Sequence, residues 1–300
     1  MALKLKPSEE TVDIGDMGAV PGTAVVPVPV TPQQALAAYR GDAGAGMEDV
    51  EQSEILIPFL RILQSNSPAC EDGGAAQVEG ARPGMIINTA TQQLISREEG
   101  FTFIPAHRSH SYIEYVPRDA GGGFVGVWEA TDPRIPLLRA AQGEFGKITV
   151  ESGNELIDTY SLYGVAVMAP DDVQNVVIAF ASTQIKKYRL LTTRMLGLVG
   201  VPPRYPLFAF KWHLATRPEQ NKKGKFYGWH LALDGGAPDK ALMKPTDALY
   251  LQARDFYQVL KAGGARANYE ADTGAVEGGS TGGATGSSGD PGPGDGEIPF

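Results

Sequence analysis

Residues 207–233 read LFAFKWHLATRPEQNKKGKFYGWHLAL. Two runs of alternating large apolar residues flank a polar, Lys-rich middle, and alternation with period two is what a strand with one buried face requires. The reading is a hairpin, with strands over Leu207 to Ala215 and Lys225 to Leu233 joined by a long basic loop, TRPEQNKKG. Phe208, Phe210, Trp212 and Leu214 share one face, as do Tyr227, Trp229, Leu231 and Leu233, and rings so placed belong in a core more often than on a surface. The opposite face carries Lys211, His213, Phe226 and His230.

Upstream of the hairpin, QIKKYRLLTTRMLGLV follows Ser182 and Thr183, either of which suits a helix N-cap, and puts Ile185, Leu191, Met195 and Leu198 near one stripe. Before that helix, β-branched and aromatic residues with turn punctuation predict strands near Met85 to Asn88, Thr102 to Ile104, Ser111 to Val116, Gly123 to Glu129, Asp158 to Met168 and Val176 to Ala181. The apolar run ILIPFLRIL, broken by Pro58, brings the chain into the core, and a last helix is expected from about Thr246 to Leu260. Strands, then a helix, then a two-stranded return is the order of the OB-fold. The expected class is therefore mainly β with one or two helices (β+α), an OB-fold-like Greek-key barrel with extensions; a β-sandwich with an inserted helix fits the same string.

Charge is segregated. Residues 1–52 carry three bases and eight acids, 3 − 8 = −5, residues 271–300 carry five acids and no base, and the net charge is −9, so residues 53–270 sum to −9 + 5 + 5 = +1. Within them residues 185–225 hold Lys186, Lys187, Arg189, Arg194, Arg204, Lys211, Arg217, Lys222, Lys223 and Lys225 against Glu219 alone, 10 − 1 = +9. That is the footprint of a polyanion-binding surface, and equally of a solvated helix face with a Lys-rich hairpin tip. With 42% hydrophobic and 20% charged residues the chain is globular rather than wholly disordered. The single cysteine, Cys70, excludes an intramolecular disulfide and a multi-Cys zinc cluster and fits a reducing cytoplasm. No membrane span and no secretory leader are expected.

Four segments follow: a disordered acidic N-terminal arm over 1–52, a folded body over 53–262, a Gly-rich flexible linker over 263–294 and a tip over 295–300. The linker is too poor in apolar residues to offset the entropy of ordering, and its reach is roughly 30 Å. The tip, Asp295-Gly296-Glu297-Ile298-Pro299-Phe300, ends in an aromatic side chain beside a carboxylate, suited to an apolar pocket with a basic rim.

Linker and tip resemble those of the single-stranded-DNA-binding proteins of bacteria and their phages, which join an OB-fold body to a Gly-rich linker and an acidic tip closing, in the bacterial proteins, with Ile-Pro-Phe. The resemblance implies that Asp295, Glu297, Ile298, Pro299 and Phe300 recruit replication, recombination and repair proteins, and that the body binds single-stranded DNA. Gly296 interrupts the acidic run, and a long arm precedes the body, so a divergent phage-type member fits better than a bacterial housekeeping one.

A basic groove with aromatic stacking faces is what single strands need. The expected contacts are Lys186, Lys187, Arg189, Arg194, Arg204, Lys211, Lys222, Lys223, Lys225 and Phe226, with Trp212 and Trp229 as further stacking candidates, and Tyr112, Tyr115 and Trp128 as rings that serve either packing or stacking. His107 and His110 lack the company of a zinc site and read as solvated or hydrogen-bonded. Gly278-Gly279-Ser280-Thr281-Gly282 matches a nucleophile elbow in letters only, with no strand or helix around it. The expectation is a cytoplasmic, non-enzymatic protein without cofactor or metal, with self-association allowed. The alternatives are a β-rich phage structural or assembly protein and a metal-dependent nuclease using scattered carboxylates.

Overall fold

The computed structural model describes residues 45–46, 56–142, 147–169, 171–200, 204–221, 224–263, 266–267 and 269. The chain divides into two units, Met1–Val50 and Glu51–Phe300, and the architecture below is that of the second. Nearly all of the expected arm, most of the linker and the whole tip lie outside the described residues.

The first strands are β1 (Leu56–Ile57), β2 (Leu60–Ile62), β3 (Ile86–Asn88), β4 (Leu94–Ile95), β5 (Phe101–Tyr115) and β6 (Phe124–Glu129). Helix α1 (Ile135–Ala140) precedes β7 (Ile148–Thr149), β8 (Glu155–Ala169) and β9 (Asp172–Ala181), and α2 (Ile185–Val199) precedes β10 (Trp212–Asn221) and β11 (Gly224–Leu233). Helices α3 (Pro238–Ala241) and α4 (Ala248–Lys261) and strand β12 (Arg266–Ala267) follow. The mainly β, β+α class is the one that forms.

β5 and β8, 15 residues each, make an antiparallel spine from Thr102↔Val167 to Tyr115↔Glu155. The free flank of β5 takes β10 at its start, through Phe103↔Trp212, and β6 at its end, through Ser111↔Glu129. The free flank of β8 takes β9 along most of its length and β7 near Leu156. What reads in sequence as two strands, Thr102 to Ile104 and Ser111 to Val116, is one strand with a bulge between Pro105 and His107.

This sheet does not close into the expected barrel: β9 and β11 do not pair, and no strand of the sheet spans from one to the other. The Val177 amide donates to the Pro58 carbonyl at 2.9 Å, after which β2 turns aside to pair with β3. The remaining gap is bridged by a side chain. Gln64 Nε2 donates to the Tyr227 carbonyl and Gln64 Oε1 accepts from the Tyr227 amide, both at 2.9 Å, so one amide imitates a strand rung. Beside it Thr216 Oγ1 donates to the Gly84 carbonyl. Gly84 sits at φ +92°, and a Cβ there would strike the Tyr227 ring.

Phe101, Phe103, Leu162, Ile178, Phe180, Trp212, Leu214, Trp229 and Leu231 fill one side of the sheet. Helix α2 covers them with Tyr188, Leu191 and Met195, a stripe at i, i+3 and i+7 in which Tyr188 replaces the expected Ile185. Helix α4 presses Ala253 and Phe256 onto the other side, against Ile104 and Val165 and against Ala106, Tyr163 and Val177.

The hairpin differs from its reading in sequence. Leu207–Ala209 is a 3-10 turn, and the long loop is ladder: pairing runs from Trp212↔Leu233 to Asn221↔Gly224. Pro218 is tolerated inside it. Its partner Tyr227 turns its amide and carbonyl away from β10, toward Gln64, so the rung needs no N–H from residue 218.

Candidate nucleic-acid interface

With Trp212, Leu214, Trp229 and Leu231 buried inward, alternation turns the other set of the hairpin outward. The outward rungs are His213↔Ala232, Ala215↔His230, Arg217↔Gly228 and Glu219↔Phe226. The first three each pair a cationic or titratable side chain with a methyl or a hydrogen. The result is a floor of Ala232, Ala215 and Gly228 between posts of His213, His230 and Arg217. The Glu219 carboxylate reaches back over Gly228, where a Cβ would lie 2.5 Å from Glu219 Oε1.

Helix α2 supplies further cations along the β11 edge. Gln184, which precedes it, accepts the Trp229 amide on Oε1 at 3.2 Å, and Arg194 Nη1 donates to the Leu231 carbonyl at 3.2 Å. Lys187 Nζ pairs with Glu219 Oε1 at 2.6 Å. At the other end Lys211 Nζ lies 3.8 Å from Asp234 Oδ2, which also accepts from Thr102 Oγ1 at 3.4 Å. Lys187, Arg194, Lys211 and Arg217 against Glu219 and Asp234 give 4 − 2 = +2 with both imidazoles neutral. His230 is held below the usual imidazole range, first by burial and then by Arg217, Lys187, His213 and Arg194.

The structure sorts the residues expected from sequence. Lys187, Arg194 and Lys211 surround this face, and half-buried Phe226 stands on it opposite Glu219. Lys186, Arg189, Arg204 and Lys225 are exposed on α2, after it and at the hairpin end. Lys222 and Lys223 lie outside the described residues. Trp212 and Trp229 are withdrawn from the interface, being 2% and 3% exposed in the core, where no base can stack without unfolding the sheet. Tyr112 and Tyr115 are likewise buried. The Trp128 ring is occupied by the Arg134 guanidinium 3.9 Å from its centroid, and its Nε1 donates to Glu114 Oε2 at 2.7 Å.

His213, His230 and Arg217 are the members that sequence reasoning did not select. The alternation had put both histidines on the Lys211 face, and the missing step was the cross-strand register, which sets small residues opposite them. A second polar cluster was also missed. His110 Nε2 is 2.7 Å from Asp158 Oδ1, and its ring stacks on Tyr160 at 4.1 Å, which in turn stacks on Tyr188 at 4.7 Å. His107 is half-buried between Tyr163 and Tyr257, and burial lowers its pKa, with Arg108 adding to the effect. Among the described residues no three His, Cys, Asp or Glu side chains converge as metal ligands. No helix among them is long and apolar enough to cross a membrane. A groove of about 630 Å³ between β1 and α4 is lined mainly by apolar residues, Leu56, Leu251, Phe256 and Val259 among them, and offers a polyanion little.

Fold and face together define an open antiparallel β protein with a cationic hairpin surface. The chain belongs to the family of Pam3 phage gp34-like proteins, whose family model matches residues 29–266. No curated protein and no solved structure matches it. The match takes in the body and part of the acidic arm and leaves most of the linker and the whole tip outside, so it places the chain in a phage family without bearing on the tip.

Proposed function

We propose that this protein binds single-stranded DNA without enzymatic turnover, on the outward face of the β10–β11 hairpin and the adjoining edge of α2, in replication, recombination or repair of DNA. The observation that carries the reading is the register that sets His213, His230 and Arg217 opposite Ala232, Ala215 and Gly228. The basic side chains stand above the sheet, where a sugar-phosphate chain would meet them, and Phe226 at the end of the row offers a ring for stacking. The tip, Asp295 to Phe300, then recruits partner proteins through Ile298, Pro299 and Phe300, a role that rests on its resemblance to the tips of single-stranded-DNA-binding proteins.

Fluorescence anisotropy with labelled oligo-dT over a salt series tests the DNA reading. Three phosphate contacts from Arg194, Arg217 and Lys225 imply a slope of log K against log salt of about −2. Absence of binding at low salt by the folded protein refutes it. Deleting residues 295–300 should leave or tighten DNA binding and abolish capture of partners; unchanged capture refutes the tip's role.

One observation favours a second reading, self-association as a phage assembly component. On β6, Val125 and Val127 are each 46% exposed, an apolar pair on a strand that joins the sheet through β5. Assembly that proceeds without DNA and is abolished by Val127→Lys would select it.

A further inference from the structure

We infer that a base of the bound strand stacks on the free ring face of His110, in the notch that β10 and β6 leave beside β5. This rests on the single-strand reading and adds to it a stacking residue outside the basic stretch 185–225.

The notch follows from strand pairing. β10 borders β5 from Phe101 to Phe103 and β6 borders it from Ser111 to Tyr115, so among the described residues no strand pairs with 104–110 on that flank. β6 ends there in a turn, with the Asp132 amide donating to the Glu129 carbonyl at 3.0 Å. The two histidines of this stretch point to different sides. His107 lies between Tyr163 and Tyr257, on the side that α4 covers. Arg108, His110 and Tyr112 alternate onto the other side, with Leu162, Tyr160 and Asp158 opposite them. There α2 covers Leu162, α1 covers Tyr112 with Ile135 and Leu138, and His110 stands between the two clusters.

His110 ends a row of rings. Tyr160, on β8, covers one face of the imidazole at 4.1 Å with 4° between the planes, and Tyr188 of α2 backs Tyr160 at 4.7 Å. Since β8 lies on one flank of β5, the second face of the imidazole turns toward the other flank, which is the notch. With one face covered and Nε2 held 2.7 Å from Asp158 Oδ1, the side chain is still 33% exposed. Among the described residues the other ring near it is Tyr112, tilted by 45° at 5.5 Å. Held from behind and at its edge, the ring loses little freedom when a base lands on it.

The chemistry selects a base over a phosphate. The Asp158 carboxylate beside the imidazole repels an anion, while its second oxygen suits an N–H on a base edge. Phosphates on either side of the base fall to the exposed guanidinium groups of Arg108 and of Arg139, which stands by Tyr112. Helix α2 touches both this place and the hairpin face: Lys187 pairs with Glu219, and the next residue, Tyr188, backs the row of rings.

The test compares the full chain with His110→Gln and His110→Tyr in anisotropy titrations with oligo-dT across a salt series. Glutamine still donates to Asp158 but has no ring; loss of one stacked base should weaken binding about 5- to 150-fold and leave the slope of log K against log salt unchanged. Tyrosine restores a ring and should restore most of the affinity. In the wild-type chain the ring C–H resonances of His110, one of only four histidines, should move upfield with oligo-dT and stay in place with an abasic oligomer of the same length, which reads the stack even if His110→Gln misfolds. Wild-type affinity in a folded His110→Gln, a loss accompanied by a shallower slope, or an unmoved His110 resonance overturns the stack and leaves the single-strand reading standing. Failure to bind oligo-dT at low salt removes the reading and the stack with it.

Discussion

Glu219 is the acid within the basic stretch 185–225, and its carboxylate lies 2.6 Å from Lys187 Nζ on the proposed DNA face. Glu219→Gln keeps the shape, including the fit against Gly228, while removing a charge that repels phosphate and freeing Lys187 to contact the strand. One additional cation–phosphate contact adds about 0.7 to the magnitude of the salt slope for single strands. Referred to 1 M salt, that is ~0.7 log units, or about fivefold tighter binding, at about 0.1 M. The cost to the fold is small, because the paired side chains are 33% and 27% exposed and a pair so open to solvent contributes ~0.5–1 kcal/mol. Anisotropy titrations of both proteins across a salt series, with urea denaturation alongside, read affinity, slope and stability. Tighter binding with a steeper slope is expected. Unchanged or weaker binding by a folded variant, with the slope unmoved, would refute the assignment of the strand to this face.

Gln64→Leu should destabilise the protein by about 2–4 kcal/mol, since it strips both partners from the Tyr227 backbone at the seam of the sheet; equilibrium urea unfolding measures it, and a loss under about 0.5 kcal/mol would mean the seam does not depend on that amide. Trp229→Ala should cost about 3–5 kcal/mol of stability, whereas Phe226→Ala should leave the melting temperature nearly unchanged and weaken oligo-dT binding by about 1–3 kcal/mol; a reversal of that pattern would exchange the roles assigned to the two rings. His107 and His230 have folded-state pKa values below the ordinary 6.5, so the unfolded chain binds protons more readily. Their contribution is complete above pH 6.5 and is lost as pH falls through the folded values; urea midpoints at about pH 7.5 and 5.5 should decline with acidity, less steeply in His107→Gln.

Much of the hairpin was legible because strand alternation is local: Trp212 and Leu214 inward with Lys211 and His213 outward follows from spacing alone. The length of its ladder was not. Thr216 to Asn221 is polar and contains Pro218, which signals a loop, and only the backbone of Tyr227 turned toward Gln64 shows why a proline costs no rung there. The same distance in sequence hid the seam, where Gln64 and Tyr227 are 163 residues apart. Trp212 and Trp229 were offered as stacking rings because an aromatic beside a lysine has the same composition in a core as on a surface; burial separated them from Phe226. The pairing of Lys187 with Glu219, and of His110 with Asp158, likewise joins positions on different elements.

The amino-acid order by itself determined the segregation of charge, the β+α class and the two-faced character of each hairpin strand, since all three depend on composition or on periods of a few residues. Tertiary structure decided which face stays open. Helix α4 covers the side of β5 and β8 that carries Ile104 and Val165 and does not pack on the outward side of β10 and β11, while α2 brings Lys187 and Arg194 to that outward side. Periodicity assigns residues to a side of a strand; what covers that side depends on the summed burial energy of segments far apart in the chain, which no local pattern records.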